Sequence, residues 1–328
     1  MNIAQDNQRS NCSSLWESTA CAPPSTDRFF GTADVEIVVV GAGVAGLSAA
    51  LHLSARGKTV VVLESGEIGS GATGKSGGLL APDFIRHAPS EIEALFGKEQ
   101  GERLVDMIGS SARRCFEVIS QYDLRCDPEQ SGFLTPAHSA AMAARLKSRA
   151  LEWSSRGFEV DYLDAKATVS ILGTDRYCGA IRFSEGGTLN PLSLCRELAA
   201  AAIRNGAAIF TATPAKRLTK TENGWSIHTE KGVLTAKNVV LAANGGNADL
   251  YPALNKTILP LNVIEYATKP LPASLRSQIM SGGVSFTDKQ AYIFTGRYDP
   301  EGRLIAAFPD LPFKKTKKAL LDEARRRL

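Results

Sequence analysis

A glycine-rich turn between an apolar run and a helical stretch is the feature that most limits the folds open to this chain. Residues 35–40 (VEIVVV) form a short, nearly continuous apolar run, which predicts a central parallel strand buried on both faces. Residues 44–56 predict a helix, and Gly57 stands where a helix-terminating glycine belongs. Residues 59–63 (TVVVL) predict a second buried strand. Strand, turn, helix and strand together predict a β-α-β unit.

The turn itself, residues 41–46 (GAGVAG), has the G-x-G-x-x-G spacing of a dinucleotide-binding unit. Gly41 would make the tight turn, Gly43 would let the backbone approach a pyrophosphate, and Gly46 would let helix and strand pack closely. The start of the helix offers N–H groups and a partial positive charge to the phosphates. Glu64 ends the second strand, where an acid binds the adenosine ribose and repels the 2′-phosphate of NADP. The alternative is a β-α-β unit that holds no cofactor.

The segment after Glu64 helps to choose the cofactor. Residues 69–78 (GSGATGKSGG) are rich in Gly, Ser and Thr, and a loop of this composition cannot pack a core. Its backbone N–H groups and hydroxyls suit a path along a diphosphate towards a planar ring. A flexible surface loop is the alternative interpretation. Because a nicotinamide dehydrogenase does not need such a loop, the segment favours FAD over NAD.

Charge and cysteine usage exclude several other classes. Residues 313–328 carry seven basic and two acidic side chains, which accounts for the net charge of +4 and leaves the rest of the chain about neutral. This distribution argues against a nucleic-acid-binding face. The six cysteines form no C-x-x-C pair or metal-ligand spacing, so we expect reduced thiols, no metal and a cytoplasmic location. The first residues contain no secretory h-region, and no apolar run is long enough to cross a bilayer.

Two segments together resemble a known family. Residues 38–64 (VVVGAGVAGLSAALHLSARGKTVVVLE) and 71–82 (GATGKSGGLLAP) look like the D-amino-acid-oxidase-like (DAO) FAD-dependent oxidoreductases, nearest to the γ-glutamylputrescine-oxidase-like branch. Residues 14–16 (SLW), 186–191 (GGTLNP) and 239–245 (VVLAANG) resemble the same branch. The resemblance runs from about Ser14 to Pro309.

The resemblance implies an α/β fold. A Rossmann-like FAD-binding domain of the GR2 type, with a parallel sheet, would be interleaved with an α+β substrate domain that contains an antiparallel sheet. We expect an N-terminal arm at 1–33, a discontinuous FAD-binding domain at 34–95 and 187–250, and a substrate-binding domain at 96–186 and 251–312. A basic helix would follow at 313–328, with an apolar stripe of Leu320, Ala324 and Leu328. Residues 88–150 read as mostly helical, whereas 258–268 and 291–307 suit antiparallel strands.

The resemblance also implies which residues bind the cofactor. Glu64 and Ser65 would lie at the ribose, residues 72–78 would face the flavin, Lys216 would contact adenine through its backbone, and residues 243–245 would form a second turn beside the flavin. Histidines that bind flavin covalently in relatives have no counterpart after the second strand, so we expect non-covalent FAD. The expected cofactor-binding residues are Gly41, Gly43, Val44, Ala45, Gly46, Glu64, Ser65, Ala72, Thr73, Gly74, Lys75, Ser76, Gly77, Gly78, Lys216, Ala243, Asn244 and Gly245.

The chain departs from the family pattern in four places. Thr188 and Asn190 replace histidines, Lys216 replaces an apolar residue, and residues 304–309 (LIAAFP) replace a strand that normally ends in glycines. Relatives also continue past the equivalent of Leu328 into a glycine-rich segment that closes over the flavin. We therefore expect either a fragment or a variant that lacks part of its cofactor site, with low flavin affinity.

The implied reaction is oxidation of the C–H bond beside an amine in an amino acid or polyamine derivative. Hydride would pass to the flavin, water would hydrolyse the imine, and dioxygen or an electron carrier would be the final acceptor. No catalytic base can be identified. Tyr266, Tyr292 and Arg297 are weak candidates in strands expected to face the substrate, and Arg297 could clamp a carboxylate. An ordinary structural role is equally open for each of the three. An NAD-dependent dehydrogenase and a non-catalytic FAD-binding fragment remain alternatives.

Overall fold

The structure is a computed structural model, and it describes residues 14–259, 261, 263–290, 293–309, 316, 318–319, 322 and 325–326. The expected apolar stripe of Leu320, Ala324 and Leu328 and the candidate Tyr292 lie outside these residues.

Helices and strands in the described residues are numbered in chain order. The helices are α1 (Leu15–Thr19), α2 (Val44–Ser54), α3 (Pro89–Phe96), α4 (Lys98–Gly109), α5 (Ser111–Tyr122), α6 (Ala140–Ser154), α7 (Ala165–Leu172), α8 (Pro191–Arg204), α9 (Asn247–Leu250) and α10 (Ala273–Arg276). The strands are β1 (Gly31–Val40), β2 (Val60–Leu63), β3 (Leu79–Leu80), β4 (Phe133–Pro136), β5 (Val160–Asp164), β6 (Gly179–Phe183), β7 (Gly187–Thr188), β8 (Ala208–Phe210), β9 (Arg217–Thr221), β10 (Gly224–His228), β11 (Gly232–Leu241), β12 (Val263–Ala267), β13 (Ser285–Thr287), β14 (Thr295–Tyr298) and β15 (Leu304–Pro309).

The first of two compact units comprises Met1–Lys75 and Asn190–Tyr251. Its sheet has the order β8-β2-β1-β11-β10-β9. Strands β8, β2, β1 and β11 run parallel to one another, and β10 and β9 add an antiparallel edge beside β11. The inner strand β2 is a continuous apolar run, and its four residues are all buried. Helices α2 and α8 pack against each other, and α8 begins where the Asn190 side chain accepts the N–H of Ser193 at 3.0 Å.

The second unit comprises Ser76–Leu189 and Pro252–Leu328. Its large sheet has the order β12-β15-β14-β13-β4-β6-β5, with antiparallel pairs throughout except for the parallel pair of β13 and β4. A core centred on the fully buried Trp153 packs α6 against β5 and β6. Strands β3 and β7 form a separate two-stranded ribbon.

The expected α/β class, with a parallel sheet and a separate antiparallel sheet, is confirmed. Strand β1 is longer than residues 35–40, because its pairing with β11 extends back to Gly31 opposite Gly232. Residues 88–150 are mostly helical, as expected, but β4 also lies within them as an inner strand of the second sheet. Strand β4, with the sequence FLTP, is too short to be distinguished from a helical turn by periodicity. Among the described residues, no helix is both long and apolar enough to cross a membrane.

Candidate functional site

In the first unit, the carboxyl ends of β1, β2 and β11 border a cavity of about 480 Å³. This end of a parallel sheet is where α/β proteins bind their ligands. Of the expected residues, the cavity brings together Gly41, Gly43, Glu64, Ser65, Ala72, Thr73, Lys216, Ala243 and Asn244. It is also lined by residues outside the expected set: Val40, Ala42, Leu63, Ser70, Gly71, Pro214, Ala215, Ala242, Gly246 and Leu250.

The three glycines of the turn meet different surroundings. Gly41 has a φ of +110°, and a Cβ built on it would lie 2.7 Å from the carbonyl oxygen of Ala242. A Cβ on Gly46 would lie 2.0 Å from the carbonyl oxygen of Gly41, so any side chain there would push α2 away from β1. A Cβ on Gly43 would meet only the Oγ1 atom of Thr73, at 3.3 Å. Gly43 thus leaves open the space beside the cavity.

Helix α2 starts at this cavity. Its N-cap residue is Gly43, which has no side chain to satisfy the first N–H groups of the helix. The hydroxyl of Thr73 accepts the N–H of Val44 at the long distance of 3.4 Å. A helix N-terminus with weak capping, beside a cavity, suits the negative charge of a diphosphate.

The carboxylate of Glu64 is fixed in the cavity wall by the backbone. It accepts the N–H of Ala42 at 2.8 Å and that of Gly66 at 2.8 Å. The hydroxyl of Ser65 lies 3.1 Å from the same carboxylate. Because a carboxylate has about four acceptor positions, it can still accept a hydroxyl from a ligand.

Two further segments close the cavity from positions far along the chain. The N–H of Ala243 donates to the side-chain oxygen of Asn247 at 2.9 Å, and Asn244 has a left-handed φ of +49°. The N–H of Lys216 donates to the carbonyl of His228 at 2.7 Å, while its ammonium pairs with Glu230 at 3.2 Å. The ammonium of Lys216 is therefore directed to a surface ion pair, although the residue lines the cavity.

The other expected residues lie elsewhere. Val44, Ala45, Gly46, Gly74, Lys75 and Gly245 belong to the first unit but do not line the cavity, whereas Ser76, Gly77 and Gly78 belong to the second unit. Gly74 is required by packing, because a Cβ there would lie 2.1 Å from the carbonyl oxygen of Gly69. Among the residues that the structure covers, no group of three or more His, Cys, Asp or Glu could hold a metal ion.

The candidates for the substrate side belong to the second unit. Tyr266 lies half-buried on β12, opposite Ala306 on β15. Arg297 is 2% exposed on β14, and burial lowers the pKa of its guanidinium to about 10, against the opposing effect of nearby acids. It donates to backbone carbonyls of its own unit, among them that of Leu189 at 2.5 Å. Its use as a carboxylate clamp stays a prediction.

The residues of the cavity fit the adenosine and diphosphate part of a dinucleotide. Gly43 leaves room for a phosphate, the start of α2 offers N–H donors, and Glu64 offers acceptors for a ribose. The family described as DAO, FAD-dependent oxidoreductase, matches residues 36–328 of this chain.

Curated relatives match over most of this chain but over less of their own length. A γ-glutamylputrescine oxidoreductase of Escherichia coli is 30% identical over 82% of this chain and 63% of its own length. A probable oxidoreductase of Haemophilus influenzae is 28% identical over 82% of this chain and 64% of its own length. The chain thus spans a little less than two thirds of the length of these two relatives.

Solved structures share the fold. Glycine oxidase from Geobacillus kaustophilus superimposes with a TM-score of 0.70, over 90% of this chain and 77% of that one, at 18% identity. L-proline dehydrogenase from P. horikoshii also gives a TM-score of 0.70, over 92% of this chain and 76% of that one, at 19% identity. At these identities the superpositions establish the architecture alone.

Proposed function

Since the chain belongs to the DAO family of FAD-dependent oxidoreductases, we propose that it binds FAD non-covalently and oxidises the C–H bond beside the nitrogen of an amine or amino-acid substrate. The family and its cofactor agree with the expectation from the sequence motifs. The first unit would be the FAD-binding domain, and the second would supply the substrate-binding side.

One observation carries the proposal: the glycine turn, the start of α2 and the carboxylate of Glu64 border one cavity at the carboxyl ends of the parallel strands. The N–H groups at the start of α2 would hold the diphosphate, and Glu64 would accept the ribose hydroxyls. Lys216 would contact adenine with its backbone, and residues 72–78 and 243–245 would lie towards the flavin.

Bound FAD would supply the two-electron oxidation, in which the carbon beside the nitrogen would lose a hydride to the flavin and the nitrogen a proton, and water would hydrolyse the resulting imine. The chain contributes binding, orientation and exclusion of water. Dioxygen or an electron carrier would accept the electrons. γ-Glutamylputrescine, glycine and proline are the first substrates to test, because they appear in the names of the relative and of two proteins that share the fold.

The first experiment is a visible absorption spectrum of the purified chain after incubation with FAD and gel filtration. Co-eluting flavin, released by acid or heat, supports non-covalent FAD; a chain that instead retains NAD would contradict the proposal. Glu64→Ala should weaken FAD by about 1.5–3 kcal/mol, the range for a hydrogen bond to a charged group. Glu67→Ala is the matched control, because Glu67 is exposed and does not line the cavity.

Activity requires a separate measurement. The FAD-loaded protein should consume one of the three substrates and reduce either dioxygen to hydrogen peroxide or an artificial dye. FAD binding without turnover of these or any related amine would leave a flavin-binding protein and refute the catalytic part of the proposal.

A further inference from the structure

We propose that Arg297 is a positioning residue, which holds the carbonyl groups of the glycine loop at residues 76–78 in place and does not clamp a substrate carboxylate. The anchoring itself is independent of the cofactor. Its consequence for FAD rests on the proposed function, in which this loop faces the flavin.

The contacts of Arg297 converge on the loop and on the strand beside it. Its Nη1 atom donates to the carbonyl oxygens of Leu189 at 2.5 Å, Gly78 at 3.2 Å and Gly77 at 3.3 Å. Its Nε atom donates to the carbonyl of Tyr298 at 2.9 Å. The planar guanidinium thus joins three segments of the second unit that are far apart along the chain.

The loop has little regular structure to hold it. Only Leu79 and Leu80 pair with β7, and the preceding Gly78 has a φ of +65°. The N–H of Leu189 donates to the carbonyl of Gly78 at 2.9 Å, so Arg297 and Leu189 bind the same oxygen. A buried carbonyl without a donor is costly, and Arg297 gives a donor to the carbonyls of Gly77 and Leu189 and a second donor to that of Gly78.

The charges around Arg297 fit a permanent structural cation. Four acids of the same unit, Asp127, Glu129, Glu265 and Asp299, act against the effect of burial on its pKa. With the pKa lowered only to about 10, the guanidinium stays protonated at neutral pH. A substrate carboxylate that bound the Nε or Nη1 atom of this buried group would displace backbone carbonyls and leave them unpaired.

The test compares Arg297→Met and Arg297→Lys with the control Arg182→Met. Arg182 is a partly exposed residue of β6 in the same unit, and it pairs with Asp161 at 2.9 Å. Hydrogen exchange is followed by mass spectrometry on peptides that cover residues 76–80, in the full chain without added FAD. Loss of the anchor should speed exchange there by at least about tenfold in Arg297→Met, as for a lost buried hydrogen bond to a charged group. Arg297→Lys should show a smaller increase, and Arg182→Met none.

A second measurement separates positioning from substrate binding. Arg297→Met should lower FAD affinity, and Arg297→Lys should recover part of it, while KM changes equally for substrates with and without a carboxylate. Wild-type exchange at residues 76–80 together with a rise in KM confined to carboxylate substrates would overturn the proposal. If Arg297→Met does not fold, Arg297→Lys decides: exchange in this loop must exceed that of the wild type. If the wild-type chain does not bind FAD, the proposed function fails, and the exchange comparison still tests the anchor.

Discussion

Two glycines of the same turn should respond differently to the same substitution. Gly46→Ala places a Cβ at 2.0 Å from the carbonyl oxygen of Gly41, and this backbone oxygen cannot rotate away from the new Cβ as the end of a side chain could. Gly43→Ala places a Cβ at 3.3 Å from the hydroxyl oxygen of Thr73, the end of a side chain. The first change should therefore affect folding, and the second should affect the ligand.

The magnitudes follow from these contacts. An ordinary contact needs about 3.5 Å, so α2 must move away from β1 by more than about 1 Å in Gly46→Ala. Overpacking costs about 1–3 kcal/mol, and a clash with backbone belongs at the upper end of that range. The gain in helix propensity from glycine to alanine offsets about 1 kcal/mol. We expect a net loss of about 2 kcal/mol in the free energy of unfolding.

Gly43→Ala should cost less than about 1 kcal/mol in stability, the difference between glycine and alanine at an N-cap. Its added methyl group enters the wall of the cavity beside the start of α2, where a phosphate would approach. FAD affinity should therefore fall at least about tenfold, or about 1.4 kcal/mol.

The assay combines urea denaturation of the protein without FAD, followed by circular dichroism, with FAD titration of each folded variant. The ordering is the decisive result: Gly46→Ala is the less stable variant, whereas Gly43→Ala is the folded variant with weak FAD binding. If Gly43→Ala binds FAD like the wild type, the diphosphate does not pass this glycine. If Gly46→Ala is as stable as the wild type, the contact between α2 and β1 does not require glycine.

Two further predictions concern Asp83, Arg149 and Lys289, whose charged side chains pair in the interior of the second unit. Arg149 pairs with Asp83, both almost fully buried, so Arg149→Met should lower stability by about 3–5 kcal/mol. By contrast, Arg145→Met, on the exposed side of α6, should cost less than about 1 kcal/mol by the same denaturation assay. Burial lowers the pKa of Lys289 from 10.5 to about 8. Between those pH values the unfolded chain binds more protons at Lys289 than the folded chain does. The free energy of unfolding of the wild type, relative to that of Lys289→Met, should therefore rise with pH between about 8 and 10.5 and stay level below pH 8. A difference between the two proteins that does not change with pH would contradict this prediction.

The local part of the cofactor site could be predicted because it depends on consecutive residues. The strand, the three glycines, helix α2 and the acid at Glu64 follow one another within one β-α-β unit, and periodicity and glycine spacing indicate each of them. The start of α8 could be predicted equally well, because Asn190 and Pro191 are a local signal for the beginning of a helix.

The strands of the second unit were harder to predict. Short strands such as β4 and β6 become inner strands only through partners distant along the chain, and their own residues do not specify those partners. The same limit applies to the cavity wall. Pro214 and Ala215 line it because β9 and β10 extend the sheet beside β11, and no motif marks them.

The sequence by itself determined that the chain forms a β-α-β unit with a glycine turn of dinucleotide-binding spacing, and its resemblance to the DAO family indicated FAD. The reason is that G-x-G-x-x-G and the acid after the second strand act through neighbouring residues. The sequence left the role of Arg297 open between a carboxylate clamp and a structural residue. Only the tertiary structure decided which groups surround its side chain. Its guanidinium meets the carbonyls of Gly77, Gly78 and Leu189, more than one hundred residues away along the chain. Such a contact depends on which strands pair, and burial then decides what a charged side chain must bind.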